Sequence, residues 1–182
     1  MYGMIHKAAR EFATQSLGDE AWSEVVERVG LGNEHFISGQ HYSDEVTLKL
    51  IAELCGKLDM ELADLLKAFG HYWIGFTERS DYSPALAMAG DDLETFLHNL
   101  DDLHHGIKAT MPEADLPSFS VVRSDERQIE VLYSSGRDGL ASFVEGLLQG
   151  LMEKFSEPGS VSHRSDGDGI LFTINRAQAK AA

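Results

Sequence analysis

The sequence predicts an α+β protein, in which a helical N-terminal part precedes a C-terminal part that contains an antiparallel sheet. Two observations carry this prediction. Apolar residues recur at helical spacing through the first half of the chain, and after Pro117 the spacing changes to the alternation typical of strands. A chain of 182 residues is long enough to bury a core as one domain. We therefore expect a single domain over residues 1–182, helical to about residue 60, with roughly four strands in residues 61–182.

The composition excludes several classes of partner. Fifteen basic and 30 acidic residues give a formal net charge of −15, which argues against binding to nucleic acid or to an anionic membrane. No apolar run approaches the roughly 20 residues that a membrane span needs, and the N-terminus lacks the apolar core of a signal peptide. The single cysteine, Cys55, excludes an internal disulfide. We expect a cytoplasmic protein that binds neither nucleic acid nor membrane.

Four helices are predicted in the first part by apolar periodicity, and their ranges are about 1–17, 20–29, 44–55 and 60–76. Gly18 and Gly56 are interpreted as helix stops, and Asp59 as the residue that caps the fourth helix. A glycine-rich connection follows the second helix, and a polar linker with a short helical turn spans residues 78–90.

The stretch from Leu93 to Pro117 contains two adjacent histidines with different predicted environments. Read as one helix, it places His104 in a continuous apolar stripe with Leu93, Leu97, Leu100 and Ile107, whereas His105 stays on the polar flank. An inward imidazole must bond to backbone or serve as a ligand to a metal or cofactor. Because Gly106 follows directly, the histidines could also complement the dipole of an ending helix. These residues alone leave the alternatives open.

The second part contains the strands. Two strand-like runs flank the turn SDER, a helix is predicted from Gly139 to Phe155, and a hairpin is predicted through the Asp-Gly-Asp-Gly turn at residues 166–169. At the end of the second strand, Tyr133, Ser135 and Arg137 are spaced two apart, so an extended chain directs them to one side. A phenol, a hydroxyl and a guanidinium suit a carboxylate or a phosphate. The same residues are also ordinary at a turn.

The order of these features resembles the H-NOX (haem-nitric oxide/oxygen binding) family, which includes the haem domain of soluble guanylate cyclase and bacterial stand-alone sensors. The similarity covers nearly the whole chain. It comprises the start MYGMI, the Ala68-Phe69-Gly70 segment of a helix, His104, Pro117 and the Tyr-x-Ser-x-Arg motif at 133–137.

The resemblance implies a haem b that lies between the helical and the sheet-containing parts. His104 matches the residue that binds the iron on the proximal side, and Pro117 matches the proline pressed against the macrocycle. Tyr133, Ser135 and Arg137 match the residues that hold the haem propionates. A flat apolar cofactor with two carboxylates at one edge needs such a set of one inward imidazole and one cationic fork.

For the distal side, the resemblance implies a pocket lined by Ile5, Ala9, Trp73 and Ser142. Family members that hold oxygen tightly resemble one another in a distal tyrosine, and this chain has Ser142 at that position. Bound oxygen gains from a fixed hydrogen-bond donor, whereas nitric oxide needs none. The resemblance therefore implies a nitric oxide sensor that also binds carbon monoxide.

We expect a sensor without enzymatic activity, which signals through a haem-linked conformational change to a separate protein such as a histidine kinase or a cyclic-di-GMP enzyme. Two alternatives remain from the residues. One is a metal-dependent hydrolase that uses His104, His105, Asp101 and Asp102, although adjacent histidines on a helix point about 100° apart. The other is a haem-free module that binds a small carboxylate or a protein.

Overall fold

The structure is a computed structural model that describes residues 1–31 and 36–177. Part of the predicted glycine-rich connection, residues 32–35, and residues 178–182 lie outside the described residues. The helices are α1 (Gly3–Val29), α2 (Asp44–Leu58), α3 (Leu62–Glu78), α4 (Ser83–Met88), α5 (Leu93–His98), α6 (Leu100–Thr110) and α7 (Ala141–Lys154), and the strands are β1 (Ser118–Ser124), β2 (Gln128–Ser134), β3 (Gly159–Asp166) and β4 (Gly169–Arg176). The chain divides into two compact units, Met1–Phe69 and Gly70–Ala182, so the division falls inside α3 and later than residue 60.

The first unit is helical, and its core is formed by residues of α1, α2 and the start of α3, together with Phe36 from the connection between α1 and α2. The buried members of that core are Ala13, Trp22, Val25, Val26, Phe36, Leu50, Leu54 and Leu65. Gly18 has a φ of 80° and breaks the helical geometry inside α1, which confirms the predicted interruption at this glycine. The interpretation of Gly56 as a stop is wrong, because α2 continues through it to Leu58. Asp59 follows α2 with a φ of 50°, so it ends that helix and does not cap α3.

The second unit contains a four-stranded antiparallel sheet in the order β1-β2-β4-β3, which confirms the predicted fold class. The hairpin between β3 and β4 turns at Gly167, as the Asp-Gly-Asp-Gly sequence predicted. One face of the sheet packs with α5, α7 and neighbouring helices around a core. The largest fully buried side chains of this core are Phe96, Phe172, Leu93, Leu97, Ile129, Leu148 and Ile174.

The histidine stretch forms two helices rather than one. Asn99 adopts φ −93° and ψ 1° between α5 and α6, and its side-chain amide donates a hydrogen bond to the carbonyl of Ala89 at 2.9 Å. Backbone hydrogen bonds continue across this point, from the N–H of Asn99 to Thr95 and from the N–H of Leu103 to Asn99, so the interruption is one residue wide. Gly106 does not end the helix either, since α6 continues to Thr110. The predicted inward stripe survives the break, because Leu93, Leu97 and Leu100 are all buried.

Within the second unit, α7 approaches the backbone of α3 at two glycines. A Cβ atom on Gly70 would lie 2.1 Å from the carbonyl oxygen of Phe143, and one on Gly150 would lie 3.0 Å from the carbonyl oxygen of His71. Only glycine permits such an approach of two helix backbones. Gly70 and Gly150 therefore serve helix packing. None of the helices in residues 1–31 and 36–177 combines the length and the apolar character that a membrane crossing requires.

Candidate cofactor-binding site

His104 and His105 lie in different environments, as the stripe predicted. The side chain of His104 is partly buried and its ring lies 5.8 Å from the ring of Phe119 on β1, whereas His105 is exposed. The Nδ1 atom of His104 lies 2.8 Å from the carbonyl oxygen of Pro117, while Nδ1 of His105 lies 2.7 Å from the carbonyl oxygen of Asp101 in its own helix. His104 is therefore held across the fold, and His105 only within α6.

The bond to Pro117 fixes the tautomer of His104. A carbonyl oxygen can only accept, so Nδ1 must carry the proton and donate it. Burial lowers the pKa of His104 below the usual value for histidine, although the bond to Pro117 and the charge of Asp101 oppose the shift in part. The imidazole is consequently neutral near pH 7, and Nε2 carries the lone pair. This is the arrangement by which a backbone carbonyl orients a metal-binding histidine.

Asp101 connects α6 to the first residues of β1. Its carboxylate accepts hydrogen bonds from the hydroxyl of Ser118 at 2.7 Å and from the backbone N–H of Phe119 at 2.6 Å. Charge-assisted bonds of this kind are among the stronger ones in proteins. Since His104 bonds to Pro117, the two residues together attach the helix to three consecutive positions of the chain.

The structure brings Tyr133, Ser135 and Arg137 together at the end of β2. Tyr133 is buried, with its ring 5.2 Å from that of Phe119. Burial raises the pKa of Tyr133, whereas a hydrogen bond with Ser135 and the positive charge of Arg137 act in the opposite direction. The hydroxyl oxygen of Ser135 also accepts the backbone N–H of Arg137 at 3.1 Å. The trio is thus a connected group rather than three separate turn residues.

Asp115 is a member of this group that the sequence did not suggest. Nη1 of Arg137 donates to the backbone carbonyl of Asp115 at 2.7 Å and lies 3.3 Å from a carboxylate oxygen of the same residue. The extended segment from Asp115 to Pro117 therefore offers one carbonyl to Arg137 and another to His104. No sequence signal reveals this contact, because Asp115 and Arg137 are 22 residues apart.

The residues expected on the distal side lie in both units. Trp73 on α3 and Ser142 on α7 belong to the second unit and are partly buried, and the Trp73 ring lies 5.7 Å from that of Phe76. Ile5 and Ala9 belong to α1 in the first unit, where Ala9 is buried and Ile5 partly so. Their assignment to one pocket stays a prediction of the family resemblance.

The geometry does not favour the hydrolase alternative. The carboxylate of Asp101 already accepts hydrogen bonds from Ser118 and Phe119. His104 bonds to a carbonyl of the segment before β1, whereas His105 bonds to a carbonyl of its own helix. In residues 1–31 and 36–177, no three His, Cys, Asp or Glu side chains are grouped so that they could hold a metal ion together. The site instead offers the inward, neutral imidazole of His104 and the guanidinium of Arg137 with its hydroxyl neighbours. A metal-binding nitrogen and a cation with hydroxyl neighbours are the groups that a planar metallo-cofactor with acidic substituents would need.

Comparison of the sequence with known proteins identifies its family. Residues 2–163 match the family model described as Haem-NO-binding. The chain is 29% identical over 153 residues to soluble guanylate cyclase gcy-35 of Caenorhabditis elegans, covering 82% of this chain and 22% of that protein. It is 24% identical over 155 residues to soluble guanylate cyclase 89Db of Drosophila melanogaster, covering 85% of this chain and 23% of that protein. The chain thus spans about a fifth of the length of these curated relatives.

Solved structures of H-NOX proteins share the fold of this chain. An H-NOX protein from S. oneidensis in the Fe(II)NO state has a TM-score of 0.87 at 22% identity, covering 98% of this chain and 100% of that one. An unliganded Fe(II) H-NOX protein from K. algicida has a TM-score of 0.80 at 21% identity, with 100% of both chains covered.

The chain belongs to the haem-NO-binding (H-NOX) family of haem-based gas sensors. Its cofactor is accordingly a haem iron, and the region that it shares with the cyclases is a sensor domain rather than a catalytic one. The residues present fit this cofactor: the lone pair on Nε2 of His104 suits an axial position, and Arg137 suits the acidic edge.

Proposed function

We propose that this chain is a haem-based sensor of nitric oxide in which His104 provides the axial nitrogen and Tyr133, Ser135 and Arg137 hold the propionates. The observation that carries the proposal is the hydrogen bond from Nδ1 of His104 to the carbonyl of Pro117, which leaves Nε2 as a lone-pair donor. A ferrous haem, when bound, would supply an iron that binds a diatomic gas.

His104 and Pro117 act together in this proposal. The bond between them sets both the orientation and the basicity of the imidazole, as the hydrogen-bond partners of metal-binding histidines do. Pro117 lies on the segment that leads into β1, and its fixed φ makes the segment stiff. Its expected position against the macrocycle follows from the family resemblance.

Tyr133, Ser135 and Arg137 recognise carboxylates by complementary means. Arg137 supplies a positive charge in a forked geometry, and Tyr133 and Ser135 supply hydroxyl donors. The hydrogen bonds among the three residues support the proposal because they limit the conformational entropy that a ligand would have to overcome. The guanidinium of Arg137 is held separately, by its bond to the backbone carbonyl of Asp115.

The choice of gas follows from the side chains expected on the distal side. Ile5 and Ala9 are apolar, Trp73 is largely so, and Ser142 has a short hydroxyl on a helix, where it can bond to its own backbone. We propose that side chains of this character favour the binding of nitric oxide and carbon monoxide and give little help to oxygen, which profits from a fixed donor.

Signalling would begin at α6. Because Asp101 binds the first residues of β1 and His104 binds Pro117, a displacement of α6 is passed on to the sheet of the second unit. We propose that a separate cytoplasmic protein receives the signal, such as a histidine kinase or a cyclic-di-GMP enzyme, and that the chain itself has no catalytic activity.

The experiment is an absorption spectrum of the purified ferrous protein before and after addition of nitric oxide. The proposal expects a haem Soret band that shifts on addition of the gas. A protein that purifies without haem and does not take it up when it is supplied would contradict the proposal, and would favour the haem-free module that binds a carboxylate or a protein.

A further inference from the structure

The carboxylate of Asp115 lies at the group of residues proposed to bind the haem propionates. One of its oxygens is 3.3 Å from Nη1 of Arg137. The same oxygen would be 3.4 Å from a Cβ atom on Gly136, so the carboxylate lies over the backbone between Ser135 and Arg137. Its negative charge also adds to the rise in the pKa of Tyr133. Asp115 thus acts on two of the three residues of the motif.

The carboxylate is not needed to hold Arg137 in place. The nearer partner of Nη1 is the backbone carbonyl of Asp115, at 2.7 Å, which any residue at this position would provide. The longer ion pair joins a mostly buried guanidinium, 24% exposed, to a carboxylate that is 56% exposed. A pair of this kind contributes little to stability. It does, however, place a negative charge where a second one is to bind.

We infer that Asp115 is an internal competitor of the haem propionates, whose carboxylate occupies Arg137 and weakens the retention of haem. The inference rests on the proposed function, because it presupposes that Arg137 binds a propionate. Like charges that share one cation repel each other, and a carboxylate that reaches Arg137 must displace Asp115 or share the guanidinium with it. Because the chain carries a net charge of −15, its other charges do not compensate for this repulsion.

The test compares haem loss from the haem-loaded wild type with loss from Asp115→Asn and Asp115→Ser. Both variants keep the backbone carbonyl and remove the charge. Haem transfer to an excess of apomyoglobin measures the dissociation rate. We expect both variants to lose haem about two- to fivefold more slowly, in keeping with the size of a partly exposed ion pair. Glu45→Gln is the matched control, because it removes one charge from the exposed pair with Lys49 on α2, and its rate should equal that of the wild type.

Ionic strength separates competition from a merely structural role. Because the pair is partly exposed, salt screens it, and the difference between the wild type and Asp115→Asn should shrink as salt is raised. Equal or faster haem loss from both variants would overturn the inference, as would a slowing that salt leaves unchanged. If the wild type itself binds no haem, the proposed function fails. If the wild type holds haem and only the order of rates is wrong, the inference about Asp115 fails alone.

Discussion

The Nδ1 atom of His104 lies 2.8 Å from the backbone oxygen of Pro117, so one hydrogen bond determines which ring nitrogen is left with a lone pair. Two residues earlier, the backbone oxygen of Asp115 accepts a hydrogen bond from Arg137. A short extended segment therefore orients both the proposed iron ligand and the proposed propionate partner. Because backbone carbonyls accept both bonds, side-chain substitutions in this segment can test its charge and stiffness without removing either bond.

Replacing Arg137 should release haem faster than replacing Ser135. Arg137→Ala removes a positively charged fork, at a cost of roughly 1.5–3 kcal/mol, whereas Ser135→Ala removes only an uncharged hydroxyl, at a cost of roughly 0.5–1.5 kcal/mol. Haem transfer to apomyoglobin measures both rates under the same conditions. Faster loss from the serine variant would mean that the ranking, and with it the role of the guanidinium, is wrong.

Ser142 should leave the protein without a stable oxygen complex in air, with binding of nitric oxide and carbon monoxide intact. Its hydroxyl ends close to its own helix and cannot replace a phenol that reaches the bound gas. Ser142→Tyr should gain some oxygen affinity if the ring of Trp73 leaves room for it. Spectra of the ferrous wild type and variant in air decide the matter, and a long-lived oxygen complex of the wild type would show that another donor acts.

Acid should destabilise the protein through His6 in the first unit. His6 is 1% exposed, and Nε2 lies 2.8 Å from the hydroxyl of Thr47. Burial, with a smaller contribution from the N-terminal charge, lowers the pKa of His6 from 6.5 to about 4. The folded state thus resists protonation, so this contribution is complete above pH 6.5 and is lost as the pH falls from 6.5 towards 4.

The loss should amount to about 3 kcal/mol in the free energy of unfolding. Urea unfolding of the wild type and of His6→Gln between pH 7 and 4 measures it, because glutamine does not titrate. The stability of the wild type should fall more steeply over this interval. Parallel curves for the two proteins would mean that His6 is not protected from protonation.

Gly70→Ala should destabilise the protein by about 1–3 kcal/mol, because the new methyl group would meet the backbone carbonyl of Phe143 rather than a flexible side chain. Gly106→Ala is the matched control. It also lies within a helix, α6, but a Cβ atom there has no neighbour within 4 Å, so alanine should stabilise by up to roughly 1 kcal/mol. Thermal unfolding of both variants measures whether each substitution lowers or raises the stability. Equal effects would contradict the close packing of α3 on α7.

The sequence predicted those parts of the fold that depend on local chemistry. Glycine is favoured where φ is positive, so its presence predicted both the Asp-Gly-Asp-Gly turn and the interruption at Gly18. Gly56 and Gly106 suggested helix ends that the structure does not have. The sequence does not distinguish a glycine with a positive φ from one with ordinary helical angles. The break at Asn99 has no signal in the apolar periodicity, which continues from Leu97 to Leu100.

The candidate site shows the same division. The spacing of Tyr133, Ser135 and Arg137 along the chain was sufficient to group them, and the apolar stripe distinguished His104 from His105. Two contacts of the site arise only when distant segments pack together. One is the bond of His104 to the carbonyl of Pro117, and the other is the contact of Asp115 with Arg137. Hydrogen bonds to backbone carbonyls depend on position rather than on side-chain type, and a single sequence carries no record of them.

The most direct measurement is the haem content of His104→Ala and His105→Ala, purified side by side and read from the Soret absorbance per mole of protein. His104 is partly buried and bonded to Pro117, whereas His105 is exposed and bonded only within α6. The variants thus remove equal volumes from adjacent positions with different predicted roles. We predict that His104→Ala lacks haem or holds it only with added imidazole, and that His105→Ala retains it. Equal haem content in the two variants would contradict the assignment of His104 as the iron ligand.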